Sequence, residues 1–156
     1  MDNNIRKAEK ADIPQIIELL YQVHMVHSEI RPDLFKKGSK KYGAAELEEI
    51  INDPKRPIFV SEHDGKICGY IFCVLRTYSG DSLVEHTTLY IDDLCVNSRS
   101  RRLHIGNSLY EYVLDFAKKN GCYNVTLNVW AGNDSALEFY KHCGMTVQKT
   151  VMEKIL

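Results

Sequence analysis

The sequence predicts an α/β domain with a mixed, mostly antiparallel central sheet and helices on both faces. Three observations carry this. Two segments of helical apolar spacing come first, and the apolar period then changes to that of strands. Three strand-like runs follow one another across short turns, which implies antiparallel pairing. A strand–helix–strand unit from Leu83 through Trp130 implies a parallel pair. The predicted order is β-α-α-β-β-β-α-β-α-β, one domain over residues 1–156, a length that one compact core can serve.

Ile5 to Ala8 reads as a short strand. Asp12 can cap the next helix, with Pro14 in its first turn and Gln15 in the capping-box position. Ile13, Ile16, Ile17, Leu20 and Val23 give that helix its apolar face. Residues 31–43 are polar, with Pro32, Gly38 and Gly43 as breakers. Ala44 to Ile51 reads as a second helix, ended by Asn52-Asp53-Pro54.

Pro57 to Glu62 and Lys66 to Tyr78 are strands around an Asp64-Gly65 turn, with Gly69 marking a bulge or a close approach. Leu83 to Val96 is a third, long strand. Gly106 to Lys119 is a helix, closed by Lys118, Lys119 and Gly121. Tyr123 to Trp130 is a strand, Asn133 to His142 a helix stopped by Gly144, and Met145 to Ile155 a closing strand. An exposed edge on that last strand could pair two chains, so a homodimer is compatible with the sequence.

Composition narrows the function classes. A net charge of −1 provides no global field for nucleic acid or an anionic membrane, and no nucleic-acid motif is present. Apolar runs are strand-sized, and Met1 to Lys10 lacks the apolar core of a signal peptide, so a cytoplasmic protein without a membrane span is expected. Five cysteines without a C-x-x-C pair read as reduced, mostly buried thiols. His24 and His27 have a metal-compatible spacing but no third ligand nearby, so no metal is expected and acceptor-site or surface histidines are the reading. His86 reads as cross-strand packing, and Trp130 as core or cleft wall.

The stretch from Val96 to Gly106 leaves a strand, crosses a basic loop and enters a helix. A helix start offers unpaired N–H groups and a positive dipole end, which suits phosphate, and Arg99, Arg101 and Arg102 add charge. Gly106 would allow close approach of an anion. By itself the stretch is equally compatible with a solvated basic loop. A nucleotide P-loop is excluded by the absence of G-x-x-x-x-G-K-S/T.

Arg101-Arg102-Leu103-His104-Ile105-Gly106 resembles the acyl-CoA loop of the GNAT family of N-acetyltransferases, Q/R-x-x-G-x-G/A. The resemblance implies that backbone amides from Arg101 to Asn107 hold the pyrophosphate of acetyl-CoA. His104 stands where the family has its first Gly, and tolerates left-handed backbone better than most residues. Asn133 to Met145 resembles the family helix N-x-x-A-x-x-F-Y-x-x-x-G-F/M. That implies Asn133 on the cofactor arm and Tyr140 at the CoA sulfur. Amine attack on a thioester expels a thiolate, to which a Tyr hydroxyl can donate.

Tyr90 to Val96 resembles the family strand that splays from its neighbour. The resemblance implies that the backbone of Leu94, Cys95 and Val96 pairs with the pantetheine arm. Asp92 and Asp93 are adjacent in an apolar strand, so their side chains are expected on opposite faces. By resemblance Asp92 is the base, acting through water, with Asp93 the alternative. Either could instead bind a cationic substrate or pair with an Arg such as Arg76. Tyr21, His24, His27, Glu29 and the 31–42 loop occupy the family's acceptor pocket.

The expectation is an acyl-CoA N-acyltransferase fold. It would move the acetyl group of acetyl-CoA directly to a primary amine of a small molecule, in a ternary complex. The alternatives are acetylation of protein or peptide amines, or a catalytically silent CoA-binding module. A Cys95 nucleophile is the rival route, with no paired His in sight.

Overall fold

The computed structural model describes residues 4–156, with the side chain of Arg102 left aside. Five strands form one sheet in sequential order. They are β1 (Asn4–Lys7), β2 (Ile58–His63), β3 (Lys66–Gly80), β4 (Leu83–Val96) and β5 (Asn124–Leu127). Neighbours pair antiparallel up to β4, and β5 joins β4 in parallel. The helices are α1 (Ile13–Ile30), α2 (Ala44–Ile51), α3 (Ile105–Lys119) and α4 (Asp134–His142).

Strand alternation divides the core in two. Ile58, Val60, Tyr70, Phe72 and Cys95 pack with Ile16, Leu19 and Leu20 of α1 and Leu47 and Ile50 of α2. Phe59, Ile71, Cys73, Leu89 and Ile91 pack on the opposite face with Ile105, Leu109, Tyr110 and Val113 of α3. Each fully buried Leu or Ile side chain is worth about 1.5–3 kcal/mol of transfer free energy. Both helical layers are thus held by the period-2 pattern of the strands between them.

Gly69 sits where these layers meet most tightly. A Cβ there would lie 2.9 Å from the Cys95 carbonyl oxygen and 3.0 Å from Ile105 Cγ2. The close approach expected from the sequence is therefore between β3, β4 and α3.

Three local expectations are corrected. Asp12 precedes α1 but makes no side-chain cap. Its carboxylate accepts from the Glu9 N–H and from both Arg6 terminal nitrogens, while Arg6 also reaches Glu62. The guanidinium outcompetes a helix N–H for the acid because it offers charge as well as two donors. Gln15 accepts from the Ile67 N–H on β3 instead of closing a capping box. Residues 145–156 form no strand: after α4 the chain runs without a ladder, and every residue from 146 to 156 is exposed. No helix among the described residues is long and apolar enough to cross a membrane.

Candidate active site

The β4–β5 ladder stops at Ile91↔Leu127, while β4 continues to Val96. Beyond that point the two strands part, as the splay implied by the family resemblance requires. Asn97 N–H donates to Cys68 O on β3. Strand alternation then turns the N–H groups of Leu94 and Val96 toward the opening and that of Cys95 toward β3. The Cys95 side chain is buried under α1, its thiol facing Leu19 O at 3.5 Å. Burial pushes that thiol up to about 12, so it holds its proton.

A bulge shapes the same stretch. Phe72 pairs with Asp93 and Cys73 with Ile91, which leaves Asp92 unmatched on β3. Simple alternation therefore fails here, and the expectation of opposite faces is corrected. Both carboxylates meet the same aromatic group under α1 and α2. Tyr70 donates to Asp93 Oδ2 at 2.8 Å and Tyr42 to Asp92 Oδ2 at 2.6 Å. Phe72 joins the two, stacked on Tyr42 and edge-on to Tyr70. An extra residue in one strand re-aims its neighbours, and that is how two adjacent acids come to line one cavity.

Their environments differ. Asp92 also pairs with Lys41 Nζ at 2.9 Å. Arg76, the partner considered from sequence, lies over the Tyr90 ring instead, 4.4 Å from its centroid. Asp93 is buried, and desolvation raises its pKa to about 6, partly opposed by Tyr70 and Lys41. Burial and then the Asp93 charge raise Tyr140 well above the usual tyrosine range. Tyr140 thus stays a neutral hydroxyl donor.

The cavity between the parted strands has a volume of about 420 Å³. Asp92, Asp93 and Leu94 line it from β4, Asn133 and Tyr140 from the α4 segment, and His24 and His27 from α1. Phe35 lines one side, edge-on to His24 and Trp130 at centroid distances of 5.8 and 5.5 Å. Burial, with Lys41 nearby, lowers the His27 pKa. His24 Nε2 meets Lys36 O at 2.7 Å. Tyr21 instead lies against Lys40, Glu29 is exposed, and neither lines the cavity.

The loop before α3 carries a left-handed residue where the family resemblance implied a glycine. His104 adopts φ 54°, ψ 24°, the left-handed conformation for which glycine is usual. The first intrahelical bond of α3 runs from Ser108 N–H to His104 O. Ile105, Gly106 and Asn107 therefore have no backbone partner for their N–H groups within the helix. Gly106 packs against α4: a Cβ there would lie 3.4 Å from Phe139 Cζ, at van der Waals contact. Asn133 caps α4 by accepting from Ala136 N–H at 3.3 Å. Arg101 and Leu103 lie on the turn Ser98–Leu103, and the side chain of Arg102 lies outside the described residues. Free N–H groups at a helix start beside a parted strand suit the pyrophosphate and amide arm of acetyl-CoA.

Sequence reasoning missed Tyr70 and the pairing roles of Lys41 and Tyr42. Tyr70 is 23 residues from Asp93 and Tyr42 is 50 from Asp92, so no local spacing announces either contact.

The start of α3 thus lies beside a parted parallel strand pair, the arrangement that the family resemblance implied. Residues 23–145 match the Acetyltransferase (GNAT) family, and the chain belongs to that family. The chain spans less than two thirds of the length of the first curated relatives that it matches. The chain is 35% identical to glucosamine 6-phosphate N-acetyltransferase of Arabidopsis thaliana, over 96% of this chain and 94% of that one. It is 26% identical to an uncharacterized N-acetyltransferase of Methanocaldococcus jannaschii over 94% of this chain, and the alignment covers 62% of that longer protein. A Bacillus halodurans protein, solved as a point mutant, superposes with a TM-score of 0.94 at 28% identity, over 98% of this chain and 99% of that one.

Proposed function

We propose that the chain acetylates the primary amine of a small cationic molecule, by direct transfer from acetyl-CoA in a ternary complex. The observation that carries this is the pairing of Asp92 and Asp93 on one cavity beside Tyr140. Asp92 and the aromatic faces of Phe35 and Trp130 favour a protonated amine. Phe35 and Lys41 of the 31–43 segment line the cavity, and its volume of about 420 Å³ favours a small acceptor over a peptide. The related Arabidopsis enzyme is named for a small amino sugar phosphate, which agrees with a small acceptor but is net anionic rather than cationic.

Asp93 is the base in this reading. An acid titrating at about 6 is ionised at neutral pH, yet basic enough to take the amine proton, directly or through one water. Asp92, held by Lys41 and Tyr42, orients the amine. Leu94 N–H can donate to the thioester carbonyl, and Tyr140 can donate to the departing sulfur. Bound acetyl-CoA supplies the activated acetyl group. The Cys95 thiol, protonated and turned under α1, is no nucleophile. The open edge of β5 supports a homodimer.

The test is thiol release from acetyl-CoA across a panel of small amines and peptides. Saturable turnover with polyamines or amino sugars is expected. Turnover with peptide N-termini alone would overturn the small-molecule reading.

A further inference from the structure

Two carboxylates and one ammonium line the cavity among the described residues: Asp92, Asp93 and Lys41. Two imidazoles join them. Burial, and then the Lys41 charge, disfavour a proton on His27, and His24 spends Nε2 on Lys36 O. Other cations near the site are occupied elsewhere. Arg31 lies over the Trp130 ring but is bound by both Asp33 and Glu153, at 2.7 and 2.6 Å. Lys40 lies over the Tyr21 ring, away from the cavity. The two acids and Lys41 therefore leave one negative charge uncompensated.

Lys41 is held in place by several contacts. Its Nζ pairs with Asp92 Oδ2 at 2.9 Å, donates to Asp92 O at 3.3 Å and lies 5.5 Å from the centroid of the Tyr42 ring. Tyr42, the next residue, donates to the same Oδ2 at 2.6 Å and stacks on Phe72. The Asp92 side chain is only 17% exposed, so water screens this pair in part. Asp93 has Tyr70 as its hydrogen-bond donor and no ammonium of its own. The bulge thus presents two acids to one cavity, and the 31–43 segment covers one of them with a cation.

We infer that Lys41 sets the charge of the acceptor: by covering Asp92 it leaves the cavity matched to one ammonium, so that amines with a single positive charge are preferred over diamines and polyamines. This rests on the reading of the cavity as the site of a cationic amine. One ammonium brings the cavity to neutrality, and passing its proton to Asp93 creates no net charge. A second ammonium would find Asp92 already covered and would share a space of about 420 Å³ with Lys41. Like charges confined together where water is scarce repel, and such repulsion is an effective way to reject a wrong partner. Among the acceptors considered above, an amino sugar meets this condition and a polyamine does not.

Steady-state kinetics with cadaverine and aminopentanol as acceptors tests this, at about pH 8, where histidine side chains are ordinarily neutral. The two amines differ by an ammonium in place of a hydroxyl. The wild type should favour aminopentanol by about tenfold in kcat/KM per reactive amine. Lys41→Met should move that ratio toward cadaverine by about tenfold, and Lys41→Arg should hold it within about threefold. A wild type that prefers cadaverine, or a ratio that Lys41→Met leaves unchanged, would overturn the charge match. So would an equal shift in Lys41→Arg, since shape and not charge would then decide. Calorimetric titration of the same amines into the CoA-bound protein reads the preference as dissociation constants, without turnover. Amines bound with this preference but never acetylated would uphold the charge match and count against the enzymatic reading. Failure of either amine to bind at about millimolar concentration would overturn both.

Discussion

Tyr70 donates its phenolic hydrogen to Asp93 Oδ2 across 2.8 Å, with both groups buried beside the cavity. The contact partly restrains a pKa that burial drives upward, because the phenol solvates the charged form that desolvation disfavours. The result is an acid poised at about 6, between a structural carboxylate and a neutral one. Asp93→Asn should abolish the acid limb of kcat/KM that the wild type shows near pH 6, with a fall of about 10²–10⁴-fold at neutral pH. An unchanged limb in the variant would move the base elsewhere.

The same group predicts a pH dependence of stability. The folded state holds the Asp93 proton more tightly than the unfolded chain does. Its contribution is therefore fully present below about pH 4 and lost as pH rises through about 6. Asp93→Asn should stabilise the protein at pH 8 by up to about 3 kcal/mol and make little difference at pH 4. Urea unfolding at the two pH values measures this; equal effects at both would refute it.

Asp92 should behave differently. With Lys41 and Tyr42 on its carboxylate, its proposed work is to place the amine. Asp92→Asn is expected to raise KM for the acceptor about tenfold, while kcat and the pH limb change little. Steady-state kinetics over acceptor concentration separates the two acids, and a kcat collapse in this variant would exchange their roles.

Tyr140→Phe removes only the hydroxyl and keeps the ring packed near Tyr110 and Phe139. A kcat loss of about 10²-fold with unchanged acetyl-CoA affinity is expected. Calorimetric titration beside the turnover assay distinguishes this from a packing defect, which would weaken binding as well.

The two glycine-type positions make opposite predictions. Gly69→Ala would force a Cβ to within 2.9 Å of the Cys95 carbonyl and should cost about 1–3 kcal/mol. His104→Gly relieves a non-glycine residue at φ 54° and should stabilise by up to about 1 kcal/mol, leaving acetyl-CoA affinity within threefold. Thermal denaturation reads both. A less stable His104→Gly would mean that the imidazole makes a contact which offsets its backbone strain.

The sequence by itself determined the first five strands and the helices, because each follows from local rules. Period-2 and period-3.6 patterns marked the ladders and helix faces, and Leu83–Val96 and Ala44–Ile51 fall where the pattern placed them. His104 was legible as a residue in glycine's place, since it acts within a few residues of itself. Tertiary structure decided the rest. The β-bulge at Asp92 arises from register against β3, and it alone turns both acids to one cavity against strand alternation. Tyr70 and Tyr42 reach those acids from other elements of the chain. Asp12 turned from capping to Arg6 because a folded neighbour supplied a stronger donor. The segment after α4 has the composition of a strand, but a strand exists only where another edge accepts its hydrogen bonds, and composition cannot say whose edge that is.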